Sequence, residues 1–203
     1  MTPHDYALLA QEAYTAKPDI GSAPGPSCAI VRQTPAGLVI AFPGTDSFAD
    51  LLADFDVTPD AVPGLGHVHG GFWNAYAAIQ GEVIAAASGQ EVIFVGHSLG
   101  AALAIVSAAS FVANGNPVKA VWGFAPPRVS PEPSISAVLA KTPMALYRNG
   151  NDAVPAVPPL WPQSGSLIQI GKAALPFINL KDHALARYIN ALTAMESNLT
   201  PAA

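Results

Sequence analysis

A single cysteine, Cys28, occurs in 203 residues, so no internal disulfide can form, and with no second thiol nearby it suggests no zinc site. It reads as a small buried hydrophobe. Charge is scarce too: Asp, Glu, Lys and Arg make up 11% of the chain, against roughly 25% in an average soluble domain. The net charge is -5 and the basic residues form no cluster, which argues against nucleic acid or an anionic membrane surface as partner, since both are held through basic patches. Long apolar runs are also missing. The longest, Ala101 to Ala113, is interrupted by serines and falls short of the about 18 residues that a membrane span requires, so it reads as a buried helix. Met1 to Ala16 has no Lys or Arg ahead of an apolar run and carries Asp5 and Glu12, which is unlike a secretory signal. The expected location is cytoplasmic, or extracellular if a signal has been removed. Internal repeats and linkers are absent, and residues 1–203 are expected to form one domain.

What the chain does have is apolar substance, 51% of its residues, and a regular alternation of elements. Gly37 to Phe42, Glu91 to Val95, Val118 to Phe124 and Met144 to Tyr147 have strand length and breakers at their ends. Trp73 to Ala87, Leu99 to Ala113 and Asp182 to Met195 read as helices. Strands alternating with helices require crossover connections, hence an α/β fold with a mainly parallel sheet flanked by helices. The 20 prolines concentrate outside these elements, where a fixed φ and a missing N–H suit ordered loops.

The sharpest local signal is Gly96-His97-Ser98-Leu99-Gly100, a G-x-S-x-G pentapeptide set between an apolar strand and a small-residue helix. That context is a nucleophile elbow after a central strand, the mark of an α/β-hydrolase. Serine must sit on a tight strand-to-helix turn, so its neighbours two residues away need to be glycines. The turn points the Ser98 hydroxyl out of the sheet and leaves the Leu99 N–H free at a helix start to bind an oxyanion. A serine hydroxyl is a poor nucleophile without a base, and the fold orders its partners as Ser, acid, His. His183 is the only histidine after Ser98. For the acid, Asp152 follows a strand and is preferred; Asp182, at a helix start where an acidic cap is common, is the rival, and Glu132 in a proline-rich loop is a third choice. Thr45, in the turn Phe42-Pro-Gly-Thr45, can supply a second oxyanion donor or cap a helix that begins near Phe48.

Ordered segments of the chain resemble the class 3 lipase family, which includes filamentous-fungal triacylglycerol lipases. Ala41 to Ser47 resembles its oxyanion loop, His69-Gly-Gly-Phe72 its histidine-x-glycine-phenylalanine segment, and Gly96 to Gly100 its elbow. Phe124 to Val129 resembles its arginine loop, Asn151 to Pro155 its acid loop, and Asp182-His183 with Tyr188 closes the series. The resemblance implies Ser98, Asp152 and His183 as triad, Thr45 and Leu99 as oxyanion hole, and a lid-like segment at about 46–66. It also implies that Asp54 supports the oxyanion-hole hydroxyl, the alternative being a solvated helix face. Pro43, Ala125 and Ser130 stand where the family usually has arginine or glycine. His69 and His97 are expected to support the site or pack beside it.

These residues point to a serine carboxylester hydrolase working without metal or organic cofactor. Phe48, Leu51, Phe72, Val154, Val157, Leu160 and Trp161 are expected to line an apolar acyl site. The implied partner is a small-molecule or lipid ester, with a lipid–water interface as a further expectation. Acyl transfer to another alcohol, thioester hydrolysis, and a catalytically silent lipid-binding module remain alternatives, because a fold alone does not establish activity.

Overall fold

The structure, a computed structural model, describes residues 1–23, 25–45, 58–173 and 179–199. Helix α1 (Pro3–Thr15) opens the chain, started by a capping box in which the Thr2 hydroxyl and the Asp5 carboxylate serve each other's backbone N–H, with Pro3 at the first helical position. Strands β1 (Ile20–Gly21), β2 (Cys28–Thr34) and β3 (Gly37–Phe42) follow as antiparallel neighbours. After them come a hairpin of β4 (Pro59–Val62) and β5 (Gly66–His69) and the helices α2 (Gly70–Ala77) and α3 (Gln80–Ala87). The remainder alternates: β6 (Val92–His97), α4 (Leu99–Ala113), β7 (Val118–Phe124), α5 (Ser134–Val138), β8 (Met144–Asn149), β9 (Leu167–Ile170) and α6 (Leu185–Leu199).

The main sheet runs β1-β2-β3-β6-β7-β8-β9 and is parallel from β3 onward, as the alternation of elements predicts. Because side chains on a strand alternate faces, each central strand feeds two cores. Ile40, Phe42, Val92 and Phe94 pack with α2, α3 and α4. Val39, Ala41, Ile93 and Val95 pack with Tyr6 and Ala10 of α1 and with Tyr188 and Leu192 of α6. Every residue of β6 is buried, which is why its first four residues, Val92 to Val95, read as an unbroken apolar run. Helix α4 is buried from Leu99 to Phe111, and its alanines let it lie close to the sheet.

The expected helix 73–87 is two helices, with the chain leaving helical geometry at Ile79 (φ -120°, ψ 3°). Buried Tyr76, Ile79, Val83 and Ala87 keep a helical spacing through the bend, so the apolar pattern could not reveal it. The Gln80 side chain fixes the new start by donating to Ser110 Oγ of α4 at 3.0 Å. The last helix begins later than Asp182: residues Leu180–His183 form a 3-10 turn, Ala184 is extended, and α6 starts at Leu185. Of the lid-like segment 46–66, residues 46–57 lie outside the described residues. The rest enters the β4–β5 hairpin, which the loop after β7 holds through Ser130 Oγ donating to His67 O at 2.6 Å and His67 N donating to Glu132 Oε1 at 2.7 Å.

Candidate active site

Strand β6 ends at the centre of the sheet and turns into α4 through Ser98, whose backbone stands at φ 57°, ψ -125°. Such a conformation costs a non-glycine residue about 1–3 kcal/mol, and the surroundings enforce it. The Ser98 N–H donates to Phe124 O at 2.9 Å, while Ser98 O accepts from Ala101 N and Ala102 N. The glycines are required by contact: a Cβ on Gly96 would strike the Gly100 carbonyl, and one on Gly100 would strike the Phe42 carbonyl. Through that second approach the end of β3, with Pro43, Gly44 and Thr45 after it, lies against the start of α4.

The Ser98 hydroxyl is 2.9 Å from His183 Nε2, and His183 Nδ1 is 3.0 Å from Asp152 Oδ2. An ionised carboxylate only accepts, so Nδ1 carries the proton and Nε2 is left as acceptor for the serine O–H. Asp152 sits just beyond β8 and is sealed. Its side chain is 1% exposed, that of His183 14%, so a substrate can reach the base but water is kept from the acid. Burial alone would raise the Asp152 carboxyl. The His183 hydrogen bond and charge, the Tyr188 hydroxyl (2.6 Å) and the Val154 N–H (3.0 Å) outweigh it and hold the carboxyl below its usual range. Burial first, then the Asp152 charge and hydrogen bond, push the Tyr188 phenol well above its ordinary value, so it stays an O–H donor.

Chain order left Asp182 and Glu132 open as acids, and both are engaged elsewhere. Asp182 accepts from Asn151 N, Asn179 Nδ2 and Arg187, each at 3.0 Å, and Glu132 faces the backbone and ring of His67.

His97, the last residue of β6, faces α1 and α6. Its Nε2 is 2.8 Å from His183 O and its Nδ1 is 2.7 Å from the Tyr14 hydroxyl. A carbonyl can only accept, so His97 donates from Nε2 and receives the Tyr14 O–H on Nδ1. Burial, and next the His183 charge, push its pKa down to about 3, so the ring is neutral and this tautomer is fixed. Helix α1 is thereby linked through the elbow to the backbone of His183. Tyr14 was not marked by any sequence signal, because it lies 83 residues before His97 on a helix with no motif of its own.

The remaining sequence candidates fall in different places. Thr45 is half-buried at the end of the β3 loop, and Leu99 is the first residue of α4, where its N–H has no intrahelical acceptor. Phe72 and Val154 are buried in the two cores, and Phe72 stacks on His69 at 4.1 Å. Trp161 meets the same imidazole edge-on at 5.9 Å. Val157 is half-buried, while Leu160 is 98% exposed. Phe48, Leu51 and Asp54 lie outside the described residues. Among the described residues no cluster of His, Cys, Asp and Glu could hold a metal ion, and no helix is long and apolar enough to cross a membrane.

The sequence model of the Lipase (class 3) family matches residues 39–161. Secreted mono- and diacylglycerol lipase A of Penicillium cyclopium is 30% identical over 138 residues, covering 63% of this chain and 45% of the relative, and that of Penicillium camembertii gives the same values. The chain thus spans under half the length of these curated relatives. Among solved structures, a Rhizomucor miehei lipase propeptide complex superposes with a TM-score of 0.76 at 21% identity, covering 89% of this chain and 78% of that one. A triacylglycerol lipase whose catalytic centre is a serine protease triad gives 0.74 at 21% identity, covering 89% and 91%. These likenesses establish the fold.

Proposed function

The chain belongs to the class 3 lipase family, and from that premise we propose that it is a serine carboxylester hydrolase acting on esters of apolar acyl chains. The observation that carries this reading is the continuous hydrogen-bonded path Ser98 Oγ, His183 Nε2, His183 Nδ1, Asp152 Oδ2, mounted on a strained elbow. His183 takes the serine proton as Oγ attacks the ester carbonyl, and the carbonyl π electrons move onto oxygen. The Leu99 N–H, with Thr45 from the facing loop, binds that oxyanion. When the tetrahedral intermediate collapses, His183 protonates the departing alcohol and an acyl-serine remains. Water, deprotonated by His183, then releases the acid and restores Ser98. Asp152 stabilises the imidazolium and fixes its tautomer without itself taking the proton. None of these steps asks for a metal or organic cofactor.

The acyl chain is assigned to the apolar surroundings of His69, Phe72, Val157 and Trp161. One α/β-hydrolase domain carries the activity. The secreted relatives support an extracellular location, where a lipid ester at a lipid–water interface is the partner that best fits an apolar site.

Hydrolysis of p-nitrophenyl esters of increasing acyl length, run beside Ser98→Ala, tests the reading. Turnover by the native chain that the variant lacks supports it, and the length optimum separates esterase from lipase. No turnover of any ester, or full rate in Ser98→Ala, overturns it in favour of a silent binding module.

A further inference from the structure

Asp182 is buried beside the base, and its carboxylate is taken up by other groups. Its Oδ2 accepts the Asn151 N–H, one residue before Asp152, and its Oδ1 accepts from Asn179 Nδ2 and Arg187 Nη1. Its carbonyl accepts from Asn149 Nδ2 at 3.0 Å, and its N–H donates to Asn179 O at 3.0 Å. Three pieces of chain therefore meet on one residue: the end of β8 that carries the acid, the turn that carries the base, and the first turn of α6. The approach is close enough to dictate a glycine. At Gly150 (φ +51°) a Cβ would come within 2.9 Å of the Asp182 Cγ.

The acid and the base come from loops 31 residues apart, and their 3.0 Å bond depends on those loops keeping one separation. We propose that Asp182 is a positioning residue, its carboxylate clamping the acid loop to the base loop so that Asp152 and His183 move as one unit. Arg187 completes the clamp from α6. Its side chain is half-exposed and borders a cleft of about 470 Å³ lined by Asn149, Gly150, Lys172, Asp182, Arg187 and Asn190, so the charge on Asp182 is balanced from a side that small solutes can reach. An Asp182→Asn amide is isosteric, but its nitrogen would face either the Asn151 N–H or the Asn179 and Arg187 donors, and one side of the clamp must open.

The proposal rests on the hydrolase reading, so the native chain is assayed first. kcat and KM for p-nitrophenyl butyrate are measured per active site, counted by stoichiometric reaction with a fluorophosphonate, together with the thermal midpoint. Misplacement of reacting groups by about 1 Å can cost ~100-fold. Asp182→Asn is therefore expected to lose roughly 10- to 100-fold in kcat per titrated site, with KM within about twofold. Arg187→Ala is expected to lose less, and to recover with millimolar guanidinium chloride beyond any effect of equal sodium chloride. Unchanged kcat per site in both variants, whatever their thermal midpoints, or a change in KM alone, would show a fold staple and overturn the clamp. If Asp182→Asn does not fold, Arg187→Ala and its guanidinium recovery decide, absence of recovery counting against the clamp. A native chain that neither turns over ester nor reacts with the fluorophosphonate removes the hydrolase reading itself, and the clamp's catalytic purpose with it.

Discussion

Tyr188 donates its hydroxyl to Asp152 Oδ2, the same oxygen that receives the His183 Nδ1–H, while Oδ1 is held by the Val154 amide. The buried carboxylate is thus oriented from α6, from the base turn and from its own loop at once. Tyr188→Phe removes one of these donors and leaves the ring packing in place. The expected loss is about 1.5–3 kcal/mol in urea unfolding, the usual worth of a hydrogen bond to a charged group. A fall in kcat and a raised Asp152 pKa should accompany it, and an unchanged unfolding midpoint would contradict this assignment.

Asp152→Asn tests the tautomer argument separately. The amide can present its N–H to Nδ1, leaving Nε2 protonated and unable to accept from Ser98. kcat for ester hydrolysis should fall by roughly 10⁴-fold, as for an acid-to-amide change in a serine triad, with the fold retained by circular dichroism.

Glycine positions make opposite predictions according to what surrounds them. Gly100→Ala drives a methyl into the Phe42 carbonyl, and rigid backbone cannot yield cheaply, so a loss of at least about 3 kcal/mol is expected. Gly81 in α3 has nothing within 4 Å of an added Cβ, and Gly81→Ala should stabilise by roughly 0.5–1 kcal/mol. Thermal unfolding of the pair reads both signs.

The buried imidazole at position 97 sets a pH dependence. Its folded-state pKa of about 3 lies below the ordinary 6.5, so between those values the unfolded chain carries a proton that the folded chain refuses. Stability should therefore be fully present above about pH 6.5 and decline toward pH 3, by up to about 1.4 kcal/mol per pH unit from this group. Asp152 adds a loss of the same sign lower down, because its folded pKa lies under the ordinary 3.8. Urea midpoints from pH 4 to 6 should fall less steeply in His97→Gln than in the native chain.

The sequence made the elbow legible because its demands are local: two glycines and a serine between a strand and a helix. His183 and Asp152 followed from chain order and from strand ends, which the topology preserves. What escaped was whatever depends on residues distant in sequence meeting in space. Tyr14 lies on a helix whose apolar pattern is weak, and β2, β4, β5 and β9 are short or of mixed polarity. The bend at Ile79 left the burial period intact. Asp182 looked like an ordinary helix-start acid because its partners come from the acid loop and from α6.

Helix α1 ends one residue past Tyr14, whose hydroxyl fixes His97 and through it the carbonyl of His183. The middle of the chain that the family model matches, residues 39–161, holds Ser98 and Asp152 but neither Tyr14, His183 nor Tyr188. A trimmed gene built on that middle would make a nucleophile and an acid with nothing between them. Cuts and fusions are therefore best kept out of α1 and α6, which frame the His97 imidazole from two sides.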